Sequence, residues 1–150
     1  MQNKNWNIRK ALIEDAENLK CCMIAAYSVY LERLKGIPLP PMNVDYTEEI
    51  KSYPVWVAES GNKIVGGLIL IFDKDHVSLA NIAVHTDFQG HGLGKGLMQF
   101  AEDEAINRGY KEIRLATHIL LTENVAYYNK LGWTETGRDE TRIYFNKFLK

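Results

Sequence analysis

The chain predicts a mixed α+β fold in which helices cover a largely antiparallel sheet, and three observations carry that expectation. Apolar residues recur at helical spacing in separate stretches, as at Leu19, Met23 and Ala26, and again at Leu93, Leu97, Ala101 and Ala105. Three consecutive β-rich runs, "PVWVAES", "KIVGGLILIF" and "HVSLANIAV", are parted only by "GN" and "DKD", as in an antiparallel meander. The overall order, β-α-(α)-β-β-β-α-β-α-β-β, groups strands instead of strictly alternating them with helices.

Taken in order, "NWNIRKAL" (5–12) reads as a strand, and Asp15 can cap a helix running through Leu19, Met23, Ala26, Tyr30 and Leu34. Gly36 and the prolines of "GIPLPP" end it and open an irregular connection. A helical turn fits "DYTEEIKS" (45–52). In the third β run Val77 and Leu79 share one parity, whereas Ile82 and Val84 share the other. A one-residue slip would turn every later side chain to the wrong face, so a β-bulge is expected near Ala80 and Asn81. The helix after it stops at Gly109, and "EIRLATHI" (112–119) forms a strand with Ile113, Leu115 and Ile119 on one side. Thr122 can cap a short helix, "ENVAYYNKL", closed by Gly132, and two strands (133–138 and 141–149) end the chain.

Composition narrows the function. At 150 residues the chain is expected to form one domain, 1–150, with 46% hydrophobic and 25% charged residues, ordinary for a soluble protein. A formal net charge of −1 argues against a nucleic-acid partner. No run approaches a membrane span, and the opening "MQNKNWNIRK" lacks a signal-peptide core, so a cytoplasmic protein without membrane partners is expected. Cys21 and Cys22 are adjacent and alone, offering neither a disulfide framework nor metal-site spacing, and no metal is expected.

Residues 85–96, "HTDFQGHGLGKG", hold four glycines in seven positions where a strand gives way to a helix. The dinucleotide pattern G-x-G-x-x-G fails, since the sixth position is Lys95, Leu97 or Gln99. The Walker pattern fails as well, because Gly96 follows Lys95 and Gln89 stands where the first glycine is required. What remains is a loop of bare amides presented to an anion at a helix N-terminus, with Lys95 adding positive charge.

"QGHGLG" (89–94) matches the Q/R-x-x-G-x-G/A motif of the GNAT superfamily of CoA-dependent N-acyltransferases, which this chain resembles along essentially its whole length. "TENVAYYNKLGW" (122–133) looks like that family's second conserved segment. The resemblance implies that the amides of Gln89, Gly90, His91, Gly92, Leu93, Gly94 and Lys95 hold the CoA pyrophosphate. It also implies that Ile82, Ala83 and Val84 pair their main chain with the pantetheine arm, and that the bulge splays this strand from 112–119. An amide left unpaired there would stabilise an oxyanion by roughly 3–4 kcal/mol.

Asn124 and Tyr128 are four apart and project from one helix face; Tyr127 is their neighbour. By resemblance Asn124 contacts the CoA arm, Tyr127 lies beside it, and Tyr128 gives a proton to the departing thiolate, a contribution of about 10²–10⁴-fold. The acceptor amine, of pKa about 10.4, is neutral at pH 7 only about one part in 2,500, equivalent to roughly 4.6 kcal/mol. Many relatives carry a carboxylate on the strand leading to the loop, where this chain has Ala80 and Asn81. What remains is Glu59, His85 or His118, directly or through water, or a weakly basic acceptor that needs no base; His118 is placed where its strand should open towards the cleft. Tyr27, Tyr30, the connection at 35–46 and the turn near "GRDE" would wall the acceptor pocket. Asp45, Glu48 and Glu49 either attract a cationic acceptor or form a solvated face.

The reading is an enzyme that moves acetyl from acetyl-CoA to an amine of a small molecule or peptide by direct attack in a ternary complex. Neither cysteine lies in a motif, so no covalent relay through cysteine is expected. A module that binds CoA without catalysis is the alternative, and a homodimer is compatible with the family.

Overall fold

The computed structural model describes residues 5–150. Seven strands form one sheet: β1 (Asn7–Lys10), β2 (Val55–Ser60), β3 (Lys63–Phe72), β4 (Val77–Val84), β5 (Glu112–His118), β6 (Thr134–Arg138) and β7 (Arg142–Phe148). Their order is β1-β2-β3-β4-β5-β7-β6, with every neighbouring pair antiparallel except β4 and β5. Four helices complete the fold: α1 (Ala16–Ser28), α2 (Tyr46–Ser52), α3 (Leu93–Asn107) and α4 (Thr122–Lys130).

Both faces of the sheet are buried, which explains the near-continuous apolar character of β2 and β3. Leu19, Cys22, Met23 and Ala26 of α1 and Tyr46 of α2 pack on Val55, Val57 and Ile69 on one side. Leu93, Leu97, Met98, Ala101 and Ala105 of α3 and Tyr128 of α4 pack on Trp56, Leu68, Leu70 and Ile113 on the other. Close approach depends on Gly66 and Gly67 at the centre of β3. A Cβ on Gly67 would lie 2.6 Å from Leu19 Cδ1 and 2.7 Å from Met23 Cε, so α1 sits where a side chain would be.

The expected bulge is present. Ile69 pairs with Asn81 and Leu70 with Leu79, which leaves Ala80 unmatched. Val77 and Leu79 before it, and Ile82 and Val84 after it, therefore all reach the α3 side, while Ala83 joins the α1 core. The strand then parts from its parallel neighbour: β4 meets β5 only at Val77–Ile113 and Ser78–Arg114.

Four sequence expectations need correction. The first strand is shorter than 5–12, since its pairing with β2 spans only Asn7–Lys10. Asp15 does not cap α1; its carboxylate accepts from Arg9 (2.8 and 2.9 Å) and from the Leu12 amide (2.7 Å), closing a tight 3-10 turn at Ile13–Asp15. The first helix ends at Ser28, so Tyr30 and Leu34 lie in a chain of tight turns through 36. Their helical spacing persists because Leu34 packs with Leu39 and Leu121 in a small separate cluster that Tyr30 also joins. Thr122 is the first residue of α4, preceded by Leu121, with no side-chain cap. By contrast Asp45 does cap α2, accepting from the amides of Thr47 and Glu48. No helix among the described residues is long and apolar enough to cross a membrane.

Candidate functional site

The gap between β4 and β5 opens into a cleft of about 1920 Å³, well above the roughly 300–1,000 Å³ of a small-ligand pocket. The glycine loop forms one end, and Tyr27, Tyr30, Ile37 and the prolines at 38, 40 and 41 form part of the wall. Ladder alternation decides which main-chain groups face the gap. His85 donates to the Val65 carbonyl, so Ala83 turns its N–H and C=O towards β3, whereas those of Ile82 and Val84 point away from β3 into the gap. Of the three residues implied to pair with a pantetheine arm, Ala83 has its main chain engaged in the sheet; Ile82 and Val84 turn their amides to the gap, while their carbonyls accept from the Tyr27 hydroxyl (3.1 Å) and Gln89 Nε2 (3.4 Å), respectively.

The four glycines of the loop divide among different physical needs. Gly90 and Gly92 adopt φ of +85° and +83°, where L side chains are strained. Gly96 lies under Trp6; a Cβ would meet its ring at 2.5 Å. Gly94 has neither reason, since its φ is unexceptional and a Cβ would meet only Val84 Cγ2 at 3.8 Å. It lines the cleft, where a side chain would take up ligand space. The first bond of α3 runs from the Gly96 amide to the Gly92 carbonyl, so the amides of Leu93, Gly94 and Lys95 precede any intrahelical acceptor. Gln89, Gly90, Gly92, Leu93, Gly94 and Lys95 all line the cleft, the Leu93 side chain being turned into the core. The His91 ring instead stacks on Phe88, with centroids 4.6 Å apart, and stands outside the lining.

Asn124, Tyr127 and Tyr128 of α4 line the same cleft. Tyr128 is 8% exposed, wedged between Trp133 and Phe145, and its hydroxyl forms no hydrogen bond within the described residues. Burial pushes its phenol far above the usual tyrosine range, so it carries its proton at any physiological pH. His118 also lines the cleft; its Nδ1 accepts from the Leu120 amide at 3.1 Å, which directs the other ring nitrogen away from that contact. Glu59 and His85 stand outside the lining. Glu59 pairs with Arg9 at the β1–β2 edge, and His85 Nδ1 accepts from the Asp87 amide.

Sequence reasoning missed a buried polar chain beneath the bulge. The Tyr27 hydroxyl is bonded to Asn81 Oδ1 (3.0 Å) and to the Ile82 carbonyl (3.1 Å). Asn81 Nδ2 donates to the Tyr46 hydroxyl (3.4 Å), which in turn donates to the Pro41 carbonyl. The slip in parity shows that Asn81 turns towards α1, but the two tyrosines that meet it come from 54 and 35 residues away. Also unforeseen is the ion pair of Arg33 with Glu123, which ties the turns after α1 to the start of α4. Among the described residues, no group of three His, Cys, Asp or Glu is placed to hold a metal ion.

The splayed sheet and the free amides at the start of α3 thus share one cleft. The family model "Acetyltransferase (GNAT) family" matches residues 23–133, and the chain belongs to that family. N-acetyltransferase 8 of Rattus norvegicus is 30% identical over 108 residues, covering 64% of this chain and 49% of that protein. The chain thus spans about half the length of the curated relatives it matches. Among solved structures, the PaiA N-acetyltransferase from Thermoplasma acidophilum in complex with coenzyme A has a TM-score of 0.83 at 20% identity, covering 95% of this chain and 98% of that one. The ribosomal-protein-S18-alanine N-acetyltransferase from Escherichia coli gives 0.79 at 20% identity, covering 97% and 94%.

Proposed function

We propose that residues 1–150 act as one acetyl-CoA-dependent N-acetyltransferase domain whose acceptor is an amine of a small molecule or peptide. One observation carries the reading: the free amides at 93–95 and the gap-facing amides of Ile82 and Val84 line one continuous cleft. The loop amides and Lys95 would receive the pyrophosphate of CoA; Ile82 and Val84 would receive its pantetheine arm, with Asn124 and Tyr127 beside it. Acetyl-CoA, when bound, supplies the activated acetyl thioester.

The chain's own residues supply the rest. Tyr128 holds its proton at the cleft wall, in position to hydrogen-bond a leaving sulfur. Because burial raises the phenol well above a thiol's ordinary value of about 8.5, full transfer to sulfur is uphill, so stabilisation by a donated hydrogen bond is its main contribution. His118, which also lines the cleft, would be a further polar group available to the acceptor. The polar chain from Tyr27 to Pro41 anchors the Ile82 carbonyl beside the gap.

The deciding experiment incubates the protein with acetyl-CoA and a panel of polyamines, aminoglycosides, amino acids and peptide N-termini while free thiol is followed. Amine-dependent thiol release above the hydrolysis rate supports catalysis. CoA binding without release on any amine would make the protein a CoA-binding module instead.

A further inference from the structure

Resting on the acetyltransferase reading, we propose that Glu49 of α2 receives the acceptor's ammonium group and takes its proton, in place of the carboxylate that β4 lacks. Four carboxylates among the described residues line the cleft: Glu49, Glu112, Glu123 and Glu140. Glu112 is committed to Arg114 and Asn146, and Glu123 to Arg33. Glu140 lies exposed in the turn between β6 and β7. Glu49 and Glu112 are half-buried, and of these two only Glu49 has no hydrogen bond or ion pair from its side chain within the described residues.

Its position is informative. Glu49 stands one turn beyond Tyr46 on α2, and the Tyr46 hydroxyl accepts from Asn81, beside the bulge on β4 where an acidic side chain is missing. Glu49, Ala80 and Asn81 line the same cleft. Burial alone raises its carboxyl above the ordinary range. On its own helix Glu48 is paired with Lys51; on the elements packed against α2, Asp15 is paired with Arg9, and Glu14, Glu17 and Lys20 are exposed. A carboxylate that is partly desolvated and lacks a cation is a ready partner for an ammonium and a stronger base than an exposed one.

The proton balance is simple. An ammonium and a thioester give an amide, a thiol and one released proton. Glu49 handles that released proton: an N–H bond breaks, an O–H bond forms, and nitrogen keeps the electron pair with which it attacks the acetyl carbon. The carboxyl then returns its proton to water, and the second nitrogen proton leaves with the sulfur as thiol.

The test compares wild type, Glu49→Gln, Glu49→Asp and His118→Gln. Calorimetric CoA affinity and the pH profile of kcat/KM are measured on whichever panel amine wild type acetylates fastest. Glu49→Gln should bind CoA within twofold of wild type, lose at least tenfold in kcat/KM at pH 7, and recover as pH nears 10 and the amine becomes neutral unaided. Glu49→Asp should restore part of the loss. A deficit under twofold, one that stays constant with pH, or the same pH signature in His118→Gln and not in Glu49→Gln would overturn the assignment to Glu49 while leaving the acetyltransferase reading in place. Wild type that binds CoA but releases thiol with no amine would overturn both.

Discussion

Single residues carry several separable jobs here. Tyr128 is packed by its ring and free at its hydroxyl, so its two roles can be parted. Tyr128→Phe should keep stability within about 0.5 kcal/mol, because no hydrogen bond is lost. Turnover should fall by about 10²-fold, the scale of one lost hydrogen bond to developing charge, with CoA affinity little changed, and a loss below twofold in a thiol-release assay would refute the assignment. Gly94 offers a sharper separation. Gly94→Ala meets only ordinary contact with Val84 and gains up to about 1 kcal/mol of helix propensity, so the apo protein should melt no lower than wild type. The motif admits alanine at this position, so Gly94→Ala should also keep CoA affinity near wild type by calorimetry, whereas Gly94→Leu, whose longer side chain would enter the cleft, should lose about tenfold or more. Asp15 has a structural role with a pH signature. Bonds from Arg9 and the Leu12 amide hold its carboxyl below the ordinary range. A depressed folded value means the stabilisation is present above the unfolded pKa of about 3.9 and is lost as pH falls through the folded one. Asp15→Asn should therefore cost roughly 1–3 kcal/mol at pH 7, a penalty that shrinks in melts taken below pH 4.

Elements are set by how closely they can approach. The Gly66–Gly67 pair lets α1 and α3 settle on opposite faces of β3, and the bulge at Ala80 re-aims β4 so that both its halves serve the α3 core. Gly67→Val would place atoms within 3 Å of Leu19 and Met23, and overpacking of this kind costs about 1–3 kcal/mol. A denaturant midpoint unchanged from wild type would show that α1 can slide away freely. Much at this scale was legible from the chain. The parity slip between Leu79 and Ile82 announced the bulge, and Gly109 and Gly132, both at positive φ, announced helix ends. The misplaced end of α1 has a plain cause: apolar spacing reports that a side chain is buried, not which cluster buries it, and Leu34 is buried in the small one. The cap expected of Asp15 failed because the Arg9 guanidinium, six residues earlier, and the Leu12 amide take the same oxygens.

Across the molecule, two cores on opposite faces grip a sheet whose middle is held apart. Ligand that bridges the loop and the gap should couple them, and at a concentration of 100 Kd it should stabilise the protein by about 2.7 kcal/mol. Thermal shift should rank CoA above NAD and ATP, whose loop patterns this chain lacks; a larger shift with either nucleotide would contradict the cleft assignment. What the chain by itself determined was the local chemistry. Glycines at their spacing, a helix start and a strand with an extra residue are encoded within a dozen neighbours, so periodicity and turn preference suffice to read them. Tertiary structure alone decided which groups converge. Asn81 met Tyr27 and Tyr46, Glu49 came to face the same cleft, and Glu59 and His85 were turned away from it. Those outcomes depend on distances between residues far apart in the chain, and they are settled only when helices dock on the sheet.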